Sequence, residues 1–365
     1  MATAAETCSR NPVLEEVPEF VPASWLRNGH AQTLVGRYLP GPRVRLPSTY
    51  HEMAADERDR LVVLESVPPG WSRGDPAAIL VHGLAGCARS PYVVRVAARL
   101  LRLGVRVVRM NLRGAGAGFG LARGIYHAGR TEDVRTVARW LAGRAADSPI
   151  ALVGFSLGGN LVLKLAAESA TLPVEGLDCV LAANPPLDLA GCCRHIRQAE
   201  NRLYDRNFLK LLRANVVRLH STFPDLGPAD LARAVSLFDF DDIYTAPLHG
   251  FAGADDYYAQ SSAGPLVSRI EIPGLVVHAE DDPFIPVEVF RRVPFPALLA
   301  LELISSGGHL GYYSRTPWQG DHRWLDARFA TWLARRWRLN STGRPGVNQD
   351  QATPWRELGG HTLDA

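Results

Sequence analysis

Residues 149–170, PIALVGFSLGGNLVLKLAAESA, restrict the possible folds more than any other stretch of this chain. The run Ile150–Phe155 shows none of the polar alternation of a strand wetted on one face, so it predicts a strand covered on both faces. A polar Ser156 follows with glycine two places to either side, and LGGNLVLKLAAESA then reads as a mostly apolar helix. A buried strand that turns directly into a buried helix belongs to a parallel sheet with helices on both faces.

The same alternation recurs along the chain. RLVVLESV (60–67), AAILVHGL (77–84), VRVVRMNL (105–112), LDCVLAANPP (177–186), IPGLVVHAE (272–280) and ALLALELISS (297–306) read as strands. TEDVRTVARWLAGRAA (131–146), with Thr131 as a candidate cap and acidic residues in its first turn, and RWLDARFATWLARRWR (323–338) read as helices. The predicted fold is therefore α/β, with a mostly parallel, doubly wound sheet. From about Gly191 to Phe251 the alternation stops and the pattern is helical or irregular, clearest in CCRHIRQAENRLYDRNFLKLLRANVVRLH (192–220). An insertion between two strands of such a sheet sits over the C-terminal strand edge, where open α/β sheets bind ligands, so residues 191–251 are expected to form a lid. The stretches 1–19 and 337–365 show no sustained period and are expected to be tails on a single domain spanning 20–336.

Charge narrows the range of partners. With 40 Lys+Arg against 37 Asp+Glu, a net charge of +3 is too balanced to imply nucleic acid or an anionic membrane as the main partner. A small-molecule substrate is expected instead. Five cysteines, an odd set without CxxC spacing, read as free thiols in a reducing compartment. No apolar run reaches membrane-spanning length, and the first twenty residues carry acidic groups where a signal peptide needs an apolar core, so a cytoplasmic location is expected.

Gly154-Phe155-Ser156-Leu157-Gly158 fits G-x-S-x-G with a strand before it and a helix after it, the context in which a serine projects from a sharp turn as a nucleophile. A serine hydroxyl is weak at neutral pH and needs a histidine base held by an acid. On this type of sheet the acid follows a later strand and the histidine comes last. Asp281 and Asp282 directly follow IPGLVVHAE, and His309 lies in the glycine-rich loop of ELISSGGHLGYY. Two backbone N–H donors must face the oxyanion, and Leu157, after the serine, and Leu84, in HGLAG, are the expected pair. His82 of that loop is expected to orient it.

Taken together, GFSLGGN, HGLAG, NLRGAGAG, HAEDDPFIP and GGHLGY resemble the α/β-hydrolase fold. WLRNGHAQTL, SPYVVRVAARLLRLGVRVVRMNLRG, NRLYDRNFL and YTAPLHGFAGADDYY carry the likeness further, to the YheT-like group related to eukaryotic abhydrolase-domain lipases. The resemblance spans about residues 20–336. It implies a carboxylic-ester hydrolase with Ser156 as nucleophile, His309 as general base and Asp282 as orienting acid, since Asp282-Pro-Phe-Ile-Pro286 has the D-x-x-[IV]-P spacing of the family's acid loop. It implies no metal and no organic cofactor. Without the N-terminal anchor of the eukaryotic relatives, short- or medium-chain acyl esters are the expected substrates. An acyltransferase using the same triad and a non-catalytic binding module are the rival readings.

Other signals carry less. GAGAGFG (114–120) lacks the third glycine of a dinucleotide loop in register and is expected to border the active site. FDFDD (238–242) and GADDYY (253–258) lack histidine, cysteine and calcium-loop spacing, and are expected to be helix caps and surface charge. WLRNGHAQTL (25–34) is expected to be structural, as is the proline pair after Asn184.

Overall fold

A computed structural model describes residues 16–39 and 44–339. Its centre is an eight-stranded sheet ordered β1-β2-β4-β3-β5-β6-β7-β8. The strands are β1 (Thr49–Ala54), β2 (Arg60–Ser66), β3 (Ala77–Val81), β4 (Arg106–Met110), β5 (Ile150–Phe155), β6 (Leu177–Ala183), β7 (Gly274–Ala279) and β8 (Leu299–Ile304). From β4 to β8 every pairing is parallel, whereas β1 and β2 add an antiparallel edge. Seven strands coincide with the apolar runs of the sequence. The eighth, β1, has no such run because it lies at the edge and buries Met53 alone.

Period-two alternation along β5 sends Ala151, Val153 and Phe155 to one face and Ile150 and Leu152 to the other. The first face packs on helix α2 (Pro91–Arg102) and the C-terminal helix Trp324–Arg336, which a buried ion pair, Arg95 Nε to Asp326 Oδ2 at 2.5 Å, ties together. Helices α3 (Thr131–Arg144) and α4 (Leu157–Glu168) cover the second. Phe155 is completely buried, so truncating it to alanine would cost about 3–5 kcal/mol. The packed body begins before residue 20 and ends after 336: Val17 and Leu339 join the first face, and Trp324 Nε1 donates to Pro18 O at 2.7 Å.

Between β6 and β7 the described chain is helical, with a small core of its own formed by Leu209, Leu212, Val216, Leu231, Ala234 and Phe240. The long helical pattern at 192–220 divides into α5 (Leu189–Ile196) and α6 (Arg202–Thr222). The break arises where Asn201 Nδ2 donates to His195 O at 3.2 Å and Asn201 N to Gln198 O at 3.0 Å, which closes a turn instead of continuing the helix. Cys87, Cys179, Cys192 and Cys193 are free thiols, and Cys8 lies outside the described residues. No helix among the described residues is long and apolar enough to cross a membrane.

Candidate active site

Ser156 joins β5 to α4 at φ 52° and ψ −123°, a left-handed conformation that costs a non-glycine residue of order 1–3 kcal/mol. Backbone crowding explains its neighbours. A Cβ on Gly154 would overlap Gly158 O, one on Gly158 would overlap Val81 O, and one on Gly83 would lie 3.0 Å from Ser156 Cβ. Strand, helix and the end of β3 thus approach backbone to backbone around the serine. The turn is held by Ser156 N donating to Ala183 O at 2.8 Å and by Gly159 N donating to Ser156 O at 2.7 Å. Behind it, fully buried Asn160 donates to Ala128 O and Ser261 O and accepts from Ala263 N at 2.8 Å, which fixes the start of α4 against two loops.

The loop after β3 is equally constrained. His82 Nδ1 donates to Gly83 O at 2.8 Å while its Nε2 accepts from Leu112 N at 3.1 Å, so a single tautomer satisfies both. Burial pushes its pKa down to about 4, and the ring is neutral at physiological pH. Gly83 N donates to Tyr92 OH, Ala85 N to Tyr126 OH and Gly86 N to Gly83 O. Between them, Leu84 lines the same cavity as Ser156, Leu157 and His309.

Asp282, rather than Asp281, carries the contact to the imidazole. Its Oδ2 accepts from His309 Nδ1 at 2.8 Å, and its Oδ1 accepts from Phe284 N at 2.7 Å and Ile285 N at 3.3 Å. Burial acts to raise the Asp282 pKa, but the charge and hydrogen bond of His309, with His278 and the Phe284 N–H, bring it below the ordinary carboxylate value. Asp281 instead shapes the histidine loop by accepting from Gly307 N at 2.8 Å and Gly308 N at 2.7 Å. With Nδ1 committed to Asp282, Nε2 is the remaining ring nitrogen of His309. Among the described residues no hydrogen bond joins it to Ser156, which lines the same cavity.

Two supports for this pair were not read from the sequence. Asn184, at φ 45°, donates to Asp282 Oδ2 at 2.7 Å and to Gly308 O at 3.2 Å, and accepts from Tyr312 OH at 2.9 Å. The only local hint was a polar residue ending an otherwise apolar strand. The second support is helix α1 (Gly29–Tyr38), which begins within WLRNGHAQTL with Asn28 as its cap. Thr33 Oγ1 accepts from His309 N at 2.8 Å and donates to Gly29 O at 2.7 Å. Gln32 accepts from Tyr313 N and donates to Tyr313 O. A Cβ on Gly29 would overlap Asp281 O, so the helix is seated directly on the acid and histidine loops.

The cavity measures about 520 Å³. Its walls are largely apolar and come from the insertion, through Leu189, Ile196, Phe208, Leu212, Val216 and Phe240, and from the glycine-rich segment with Phe119. Phe284, between the insertion and His309, packs its ring 4.4 Å from that of His309 and 4.7 Å from that of Tyr204 on α6. The acidic runs divide in role. Asp239 forms a capping box with Ser236, and Asp242 and Asp256 accept from the backbone N–H groups of Ala254 and Ala252. Asp241 departs from the expectation of caps and surface charge: it is 9% exposed and lines the cavity. No cluster of three potential metal ligands occurs among the described residues.

Comparison with known proteins agrees with this architecture. The alpha/beta hydrolase fold family matches residues 76–316. YheT of Escherichia coli (strain K12), named for an inferred esterase activity, is 34% identical over 320 residues, which cover 86% of this chain and 93% of that protein. The monoacylglycerol lipase of Saccharomyces cerevisiae is 27% identical over 252 residues, 65% of this chain and 55% of the lipase. Among solved structures, the Pyrococcus furiosus esterase Pf2001 superposes with a TM-score of 0.53 at 16% identity, covering 86% of this chain and 98% of the esterase, a likeness of fold alone.

Proposed function

Because this chain belongs to the α/β-hydrolase family, within the group that contains YheT, we propose that it is a serine hydrolase of carboxylic esters acting through Ser156, His309 and Asp282. The observation that carries this reading is the His309 Nδ1 to Asp282 Oδ2 hydrogen bond at 2.8 Å, with His309 lining the same cavity as Ser156. Ser156 Oγ attacks the ester carbonyl while Nε2 of His309 takes its proton, and Asp282 holds the ring and stabilises the imidazolium that forms. The N–H groups of Leu84 and Leu157 stabilise the tetrahedral oxyanion, helped by the N-terminal end of α4. Collapse breaks the ester C–O bond, and the imidazolium protonates the departing alcohol. Water then attacks the acyl-enzyme by the same route, releasing a carboxylic acid and restoring Ser156.

The largely apolar cavity of about 520 Å³ supports acyl esters of short to medium chain, and the helical insertion that supplies much of its wall is read as a lid. A fluorophosphonate probe tests the nucleophile: wild type is labelled, Ser156→Ala is not, and the variant keeps its melting temperature while losing turnover of p-nitrophenyl esters. Retained hydrolysis in Ser156→Ala refutes the assignment. Repeating the assay with added alcohol separates hydrolysis from acyl transfer, since a transferase yields the new ester in preference to the free acid.

A further inference from the structure

Asp241 is the least expected group in the substrate cavity. It opens the π-helical turn Asp241–Thr245, whose two end residues both line the cavity. Such turns are rare and occur frequently at functional sites. Its Oδ2 accepts from Tyr258 OH at 2.7 Å, and that hydroxyl also lies 3.4 Å from Cys193 Sγ. Burial pushes the carboxyl up to about 6, against the hydroxyls of Tyr258 and Thr245, which favour the charged form. Ion pairs to Asp241 are absent among the described residues. A carboxylate offers about four acceptor positions, and the surrounding hydroxyls leave part of that capacity unused. Desolvating such a group beside the apolar side chains of the wall is costly, and a further donor from a ligand would offset part of that cost.

The capping roles of this segment belong to Asp239 and Asp242, so Asp241 is not needed as a cap. The type of donor is narrowed by charge: Arg37, Arg89, Arg113 and Arg218 line the same cavity and disfavour a cationic ligand. We propose that Asp241 is a specificity-determining residue that accepts a hydrogen bond from a substrate hydroxyl, so that the preferred substrates are hydroxylated esters. This assignment rests on the ester-hydrolase reading and adds the substrate class to it. The hydroxyl can belong to the acyl chain or to the alcohol, and the two sources are separable.

Isothermal titration calorimetry on the full chain would compare 8-hydroxyoctanoate with octanoate, and 1-O-octylglycerol with its dimethyl ether. None of these ligands contains an ester, so the result is independent of turnover. In one pair the hydroxylated ligand is expected to bind about tenfold or more tightly than its partner, and Asp241→Leu is expected to bring that ratio to about one. The responding pair assigns the hydroxyl to the acyl or the alcohol moiety. Equal binding or no binding in both pairs by wild type overturns the proposal, as does an unchanged ratio in Asp241→Leu. Should that variant not fold, Asp241→Asn replaces it, with the ratio expected to fall about threefold or more because a neutral acceptor replaces a charged one. An unchanged ratio there is equally fatal. Failure of the hydrolase reading shows separately, as an absence of fluorophosphonate labelling at Ser156.

Discussion

Replacing Thr33 with valine removes one hydroxyl at nearly constant volume and acts on the support that α1 gives to His309. Thr33 is 7% exposed, and its Oγ1 accepts from His309 N at 2.8 Å while donating to Gly29 O at 2.7 Å. Valine and threonine have similar helix propensities, so α1 itself is little affected. What changes is that the His309 N–H loses its partner, at a cost of about 1–3 kcal/mol. The orphaned group belongs to the proposed base, and the structure can relieve it only by shifting the loop that carries the imidazole. If about 1.4 kcal/mol of the loss is felt in the transition state, kcat falls about tenfold, and if twice that is felt, about a hundredfold. KM is expected to change little, because the substrate walls are supplied by other residues. Thr33→Ser, which keeps the hydroxyl, should stay within about threefold of wild type. The assay is pre-steady-state acylation by a p-nitrophenyl ester, with melting temperature measured alongside. A folded Thr33→Val whose acylation rate stays within about twofold of wild type would refute the positioning role of α1.

Two further predictions concern protonation. Asn184→Asp sets a second carboxylate against Asp282 Oδ2 in place of a donor, so the added negative charge favours protonation of the Asp282–His309 pair and the acid limb of the kcat/KM profile moves to higher pH; an acid limb in the wild-type position would exclude that role for Asn184. His82 has a pKa of about 4 when folded against 6.5 unfolded, so between those values only the unfolded chain takes the proton. Its stabilising contribution is complete above about pH 6.5 and is lost as pH falls, amounting to about 2 kcal/mol between pH 7 and pH 5. Asp241, raised to about 6 from 3.8, acts with the opposite sign and offsets part of it. Urea unfolding at the two pH values should show a pH dependence smaller by about 2 kcal/mol in His82→Asn, and an identical dependence would mean that His82 is not buried in the neutral form.

Which features were legible in the sequence follows from the range of the interactions involved. The strand, Ser156 and helix sequence could be read because steric crowding fixes the glycines within five residues. Asp282 and His309 stand at the ends of apolar strands, where order along the chain suffices. Their supports do not announce themselves in this way: Thr33 meets a residue 276 positions away and Asn184 one 98 positions away. Each is an ordinary polar residue until the sheet brings the loops together. Asp241 was hidden for a different reason, since it stands among four carboxylates of which three cap helices or turns, and only the wall it forms distinguishes it. Strands β9 (Tyr313–Trp318) and β10 (Asp321–Arg323), a hairpin between the histidine loop and the last helix, escaped because their residues are polar and half exposed.

The glycines around Ser156 bear on how chains of this kind diverge. Gly154 and Gly158 are required by backbone contacts, against Gly158 O and Val81 O, and Gly83 lies close to Ser156 Cβ and Phe155 O; none of these contacts depends on the hydroxyl. A descendant that gave up hydrolysis could therefore exchange the serine for another small residue while remaining bound to the glycines. The spacing of the glycines is a record of how the chain is folded, and the residues between them are the record of what it still does.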